Sequence, residues 1–202
     1  MDGRPNEQVL TVAPLGGRDL ARAGWLKGFA LRYGRKVRAV KTAADLNPTT
    51  IPAAARALAA DVLELLKVDD LEILIIAHSQ GCQVVGQWLD LFARALTPTQ
   101  AARIRCVLTG NLERAFYGYG ARKPRWWPAG NIARTTPNDT LIEVLDIGRR
   151  KDLWANYPGG IPSMIRLTLF NPDHLNYTMI DPDELNPLQQ KTVGNTRYVN
   201  VA

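Results

Sequence analysis

The sequence predicts an α/β fold, a doubly wound, mainly parallel sheet with helices on both faces, and three observations predict it. Apolar runs rich in β-branched residues alternate with stretches of helical period in the order βαβαβαβ over the first half of the chain. One of these runs, Leu71 to Ala77 (LEILIIA), is almost continuously apolar, as a central parallel strand covered on both faces must be. Breaker residues at Gly16-Gly17, Gly34, Asn47-Pro48 and Thr97-Pro98 fall between the runs, and parallel neighbours joined through helices imply right-handed crossovers.

Each element has its own signal. Gln8 to Pro14 (QVLTVAP) and Lys36 to Lys41 (KVRAVK) read as strands, the second from its period-two alternation. Between them Leu20, Trp25, Leu26 and Phe29 stand at roughly helical spacing, so Asp19 to Tyr33 reads as a helix stopped by Gly34. Thr50 as cap and Pro52 in the first turn open a long helix whose buried face is Ile51, Ala55, Leu58, Val62, Leu65 and Leu66. After the Leu71 to Ala77 strand, Val84, Val85, Trp88, Leu89 and Phe92 mark a helix over Gly81 to Leu96, and Ile104 to Thr109 is the next strand. From about 110 to 140 the period stops in a basic, aromatic stretch punctuated by Gly and Pro, which reads as an irregular, lid-like insertion. Leu141 to Ile147 restores a strand, Ile161 to Phe170 reads as a short helix, and Thr196 to Val201 reads as a terminal strand expected to pair with Tyr177 to Ile180. No linker divides the chain, so 1–202 is expected to be one domain.

Composition narrows the functional classes. With 202 residues the chain can bury a core of its own, and its two cysteines, Cys82 and Cys106, exclude a disulfide-stapled scaffold. They read as buried free thiols, with a disulfide between them as the alternative. No apolar run reaches the roughly 18 residues that span a bilayer, so no transmembrane anchor is expected. The opening MDGRPNEQVL lacks the basic and apolar regions of a signal peptide, so the expected location is cytoplasmic or virion-associated. A net charge of +6 favours polyanionic neighbours such as nucleic acid, anionic lipid or a charged cell-wall polymer without selecting one.

The sharpest motif is Ala77-His78-Ser79-Gln80-Gly81, a small-x-Ser-x-Gly pattern at the junction of the most apolar strand and the following helix. A nucleophile elbow requires this: small residues two before and two after the serine let strand and helix backbones approach, and the Oγ stands clear of the sheet top. The pattern alone is common by chance; its placement makes Ser79 the candidate nucleophile, against the plainer reading of a helix N-cap serine. A serine needs a base, and the chain has two histidines. His78 adjoins the nucleophile, where neighbouring side chains point apart, and reads as a packed support residue. That leaves His174, in the loop-like stretch NPDHLNY.

The orienting acid should lie between serine and histidine in chain order, beyond a strand end, and LIEVLDIGRRKDLW offers Asp146 and Asp152. Asp146 falls inside the strand pattern. Asp152, in the loop beyond, is the preferred candidate, and Arg149, Arg150 and Lys151 beside it are expected to keep it ionised; the plainer reading is a solvated surface cluster. Oxyanion donors are expected from the backbone N–H of Gln80 and from Leu15 or Gly16 in the loop Pro14 to Arg18, where glycines permit close approach.

On these residues the chain resembles the cutinase-like serine esterases, small α/β-hydrolases with a Ser, Asp and His triad. It resembles more closely the PE-PPE hydrolase domain of mycobacterial proteins, over AHSQG, Gly110-Asn111, TPNDT (Thr136 to Thr140), VLDIGRRKD, WANYP (Trp154 to Pro158), HLNY and VGNTRYV (Val193 to Val199). The chain departs from that pattern at Asn156, where the family has an acidic residue, and at Ala77, where it usually has glycine. The resemblance implies hydrolysis of acyl esters, including lipid or cell-envelope esters, without metal or other cofactor. The N-terminal PE or PPE helical region of those proteins has no counterpart in this sequence, so a free-standing catalytic domain is expected, of the kind a phage or actinobacterial genome encodes.

Trp126 and Trp127, in KPRWWP, are candidate substrate-binding residues on a lid; the equal alternative is a surface loop folded onto the core. Basic and aromatic residues together also suit single-stranded nucleic acid, but no nucleic-acid-binding signature accompanies them, so no specific nucleic-acid partner is expected. The competing functional class is a binding or structural module of the virion or cell envelope that keeps the fold without catalysis.

Overall fold

The computed structural model describes residues 6–41, 49–119, 135–158 and 171–202. Among the described residues seven strands form one sheet: β1 (Glu7–Val12), β2 (Lys36–Ala39), β3 (Glu72–His78), β4 (Ile104–Thr109), β5 (Glu143–Arg149), β6 (Gln189–Val193) and β7 (Thr196–Val201), in the order β2-β1-β3-β4-β5-β7-β6. β1 to β5 and β7 pair in parallel, and β6 adds an antiparallel edge. This is the α/β architecture that the alternating pattern predicts.

Period-two alternation divides the core between two faces. Leu10, Val12, Ile73, Ile75, Cys106, Leu108 and Val144 face the long helices α2 (Thr50–Leu65) and α3 (Gln80–Leu91). Val9, Leu74, Ile76, Val107, Leu145, Ile147 and Val199 face Leu20, Trp25, Leu26, Phe29 and Tyr177.

That second face corrects the sequence reading. Asp19 to Tyr33 is not one helix: it holds a four-residue helix, α1 (Trp25–Gly28), and a 3-10 stretch, Phe29–Gly34. Gly24 and Gly28 are left-handed at φ 63° and 70°, as are Leu26 and Lys27 between them, so the right-handed ladder cannot propagate. The Leu26 and Lys27 amides donate instead to the carbonyls of Tyr177 and Thr178, at 3.3 and 2.8 Å. The apolar spacing identified buried residues correctly, but their backbone is held by tertiary rather than helical hydrogen bonds.

Two further expectations change. α3 ends at Leu91, and a 3-10 turn, Ala93–Ala95, leads to the short α4 (Pro98–Ala101), which Thr97 and Gln100 cap reciprocally. β7 pairs with β5 and β6, not with Tyr177 to Ile180. Gly194-Asn195 makes the two-residue turn between β6 and β7, with Gly194 at φ 56°. The expected helix Ile161 to Phe170 and residues 120–134 of the expected insertion lie outside the described residues. No helix among the described residues is long and apolar enough to cross a membrane.

Candidate active site

The carboxyl ends of β3, β4 and β5 converge on Ser79, the residue at which β3 gives way to α3. Its backbone sits at φ 53°, ψ −120°, a conformation that costs a non-glycine residue about 1–3 kcal/mol. Gly81 shows why the turn is built from small residues: a Cβ there would run into the carbonyl oxygens of Val12 and Ala13 at the end of β1. The Thr109 carbonyl at the tip of β4 accepts from the Ser79 amide at 3.1 Å, from His78 Nδ1 at 3.0 Å and from the Cys82 thiol at 3.3 Å. Elbow and strand tip are therefore one hydrogen-bonded unit.

Three side chains that the sequence nominates meet here. Ser79 Oγ lies 2.7 Å from His174 Nε2, and His174 Nδ1 lies 3.0 and 3.1 Å from the two oxygens of Asp152. A carboxylate facing Nδ1 assigns the proton to that nitrogen and leaves Nε2 to accept from the serine hydroxyl. His174 is carried on the 3-10 turn Pro172–Leu175 and is 7% exposed, so the imidazole is shielded while its Nε2 edge meets Ser79 Oγ.

Asp152 lies three residues beyond β5 and is fully buried. Its Oδ1 accepts from the amides of Trp154 (2.9 Å) and Ala155 (3.3 Å) and from Asn171 Nδ2 (3.4 Å), while its Oδ2 accepts from the Tyr177 hydroxyl (2.7 Å). Burial pushes the carboxyl upward, but the charge of His174 and the hydrogen bonds from His174 and Tyr177 outweigh it and hold the group below its ordinary value. The expected role of the neighbouring cations is thus corrected. Arg149 turns away to Asp173 Oδ1 at 3.2 Å and to the Asn176 and Ala202 carbonyls, and local donors keep Asp152 ionised.

His78 is buried, as expected of a support residue, but it does not point away from the site. Its ring centroid is 4.8 Å from that of His174 and 4.4 Å from that of Trp25. Burial, then repulsion from a charged His174, pushes its pKa down to about 3, so it stays neutral. Both imidazoles pass close over Gly110, at φ 56°: an added Cβ would stand 2.7 Å from His78 Cε1 and 3.0 Å from His174 Nδ1 and Cε1.

Asp146 is also buried, on β5 itself, where Asn111 Nδ2 donates to Oδ2 at 2.7 Å and Arg114 Nε lies 3.0 Å from Oδ1. Arg114 continues to Asn200 Oδ1 (2.7 Å), Asn156 Oδ1 (3.3 Å) and the Ala155 carbonyl (3.4 Å), crossing the sheet where Gly148 leaves room. Asn156 also donates from Nδ2 to the Arg149 carbonyl at 2.6 Å, which an acidic residue at that position could do only when protonated.

Gln80 opens α3 immediately after Ser79. Leu15 and Gly16 form a turn closed by Gly17 N–H to the Pro14 carbonyl at 3.0 Å, with Gly16 at φ 86° and Leu15 exposed. The loop's root, Val12 and Ala13, packs on the start of α3. Trp126 and Trp127 lie outside the described residues, and Cys82 and Cys106 are buried free thiols. Sequence reasoning gave no role to Tyr177, Thr109, Gly110 or Trp25, whose Nε1 donates to Thr109 Oγ1 at 3.0 Å. Tyr177 and Gly110 stood inside the quoted motifs HLNY and GN, which was the available signal.

Sheet order, elbow and helix placement define a cutinase-like α/β-hydrolase fold. A cutinase-like protein from Cryptococcus sp. superposes with a TM-score of 0.60 at 14% identity, covering 86% of this chain and 87% of that one. Lysin B from Mycobacteriophage D29 gives 0.52 at 17% identity, covering 83% and 71%. Trichoderma reesei cutinase, solved with a phosphonate inhibitor, gives 0.51 at 15% identity, covering 86% and 70%. No protein-family model matches the chain, and no curated protein matches it in sequence.

Proposed function

We propose that this protein is a serine esterase that cleaves acyl esters through an acyl-enzyme, a relative of the PE-PPE type of hydrolase. The observation that carries this reading is the continuous hydrogen-bonded chain from Ser79 Oγ through His174 to Asp152, with the serine on a strained elbow. Ser79 Oγ attacks the ester carbonyl carbon while His174 Nε2 takes its proton. The oxyanion is held by the Gln80 N–H and a backbone N–H of Leu15 or Gly16. Collapse expels the alcohol, which leaves with the proton from Nε2. Water then attacks the acyl carbon with His174 as base, and the carboxylic acid departs as Ser79 regains its proton. Asp152 stays ionised throughout and stabilises the transient imidazolium.

Turnover of a short-chain p-nitrophenyl ester tests the reading. Ser79→Ala is expected to lower kcat by about 10⁶-fold, as loss of the nucleophile does in triad enzymes. Equal rates for wild type and variant overturn it. A fluorophosphonate probe that labels Ser79 while no ester is turned over retains the nucleophile and rejects the substrate class.

A further inference from the structure

Tyr177 is not used by the mechanism above, yet it is the buried group most directly attached to it. Tyr177 is 0% exposed, its ring stacked 5.8 Å from that of Trp25 and tilted 5.4 Å from that of His78. Its carbonyl accepts from the Leu26 and Ile180 amides at 3.3 Å each, so backbone and ring are both fixed. The hydroxyl oxygen accepts from the Arg149 amide at 3.0 Å, at the end of β5. A phenol has one proton, and with that lone pair engaged the geometry directs the proton to Asp152 Oδ2 at 2.7 Å.

The placement has a chemical consequence. His174 Nδ1 faces both oxygens of Asp152; apart from it, Oδ1 is supported by two backbone amides and Asn171, whereas Oδ2 has Tyr177 as its partner among the described residues. The share of negative charge that Oδ2 offers to the imidazole therefore depends on one hydroxyl. Burial and the adjacent Asp152 charge push the phenol well above its ordinary value, so it remains a donor across the working pH range.

We propose that Tyr177 is a positioning residue of this site, its hydroxyl fixing the Asp152 carboxylate against His174 and setting how strongly that carboxylate polarises the imidazole. The inference rests on the esterase reading for its kinetic meaning. Its geometry can be tested without turnover.

Tyr177→Phe keeps the packed ring and removes only the hydroxyl. It is expected to lower kcat about tenfold with KM within about twofold, the size of one hydrogen bond to a charged group. The acidic limb of the kcat/KM profile is expected to move to higher pH by about half a unit, because an Asp152 relieved of its phenol donor holds the imidazolium more tightly. Site-specific replacement of Tyr177 by 3-fluorotyrosine, a stronger acid of nearly the same shape, should move the limb to lower pH, a reversal that packing alone does not produce. The same displacements should appear in the imidazole NMR titration of His174 in the Ser79→Ala background. A wild type that turns over no ester overturns the esterase reading alone. A His174 titration unmoved in both Tyr177 variants overturns the role proposed for Tyr177.

Discussion

Asp146 and Asp152 stand six residues apart, both fully buried, and their carboxyls are shifted in opposite directions. Burial alone pushes each carboxyl upward, and for Asp146 it prevails, leaving a pKa of about 6 despite Arg114 and Asn111. For Asp152 the same force is overcome by His174 and Tyr177. Position on the chain explains the contrast. A strand commits its amides to the ladder, so Asp146 on β5 must draw on distant side chains, and Arg114 Nε comes within 3.0 Å of it without hydrogen-bond alignment. A loop leaves its amides unspent, and the chain after Asp152 turns two of them back onto the carboxylate. What keeps a buried acid ionised is the supply of aligned donors rather than its depth.

The contrast breaks most visibly in turnover. Asp152→Asn is expected to leave the fold intact and to lower kcat by about 10⁴-fold, whereas Asp146→Asn should stay within about threefold. An inactive but folded Asp146→Asn beside an active Asp152→Asn would exchange their roles. In stability the ranking reverses. Asp146→Asn leaves the buried Arg114 guanidinium without its counter-charge, and urea denaturation should show a loss of about 3 kcal/mol.

Gly110→Ala probes the floor beneath both imidazoles and is expected to lower kcat about 100-fold in a folded protein, because His174 must shift to admit the Cβ. Wild-type kcat in that variant would show that the rings can give way. The smallest effect concerns His78. Its folded pKa of about 3 lies below the ordinary 6.5, so the unfolded chain binds the extra proton, and stability falls as pH drops from 6.5 toward 3. Between pH 7 and 5 this is a loss of about 2 kcal/mol. Asp146, raised to about 6, takes up its proton in the folded state over the same interval and returns about 1 kcal/mol. His78→Asn, which keeps a donor toward the Thr109 carbonyl, should remove the His78 part of this pH dependence; urea midpoints at the two pH values, unchanged from wild type, would refute it.

Regular elements declared themselves through their period. β3 and β4 lie where LEILIIA and IRCVLT place them, and the elbow follows because small residues at Ala77 and Gly81 are a local requirement of the turn. Asp152 could be preferred over Asp146 from the strand pattern, but the reason it stays ionised could not be read, since Tyr177 is 25 residues away in the chain. The same limit hid α1: spacing marked Trp25 and Phe29 as buried, while the backbone between them depends on the carbonyls of Tyr177 and Thr178. β6 and its turn, Val193-Gly194-Asn195-Thr196, escape the sequence reading because the polar strand QQKTV carries no apolar run, and β7 is assigned there instead to the apolar Tyr177 to Ile180. Local chemistry is written locally, and long-range donors carry no periodic mark.

Cys82 lies in the first turn of the helix behind Ser79 and Cys106 at the centre of the sheet, both wholly inaccessible, and burial pushes both thiols up. An alkylating reagent can reach neither in the closed molecule, and neither forms thiolate readily there. Consumption of thiol in native buffer, without denaturant, therefore counts openings of the sheet centre itself. Under fast reclosing its rate gives the free energy of that opening; under slow reclosing it gives the opening rate. The chain carries an internal clock for the rigidity of the ground on which Ser79 stands.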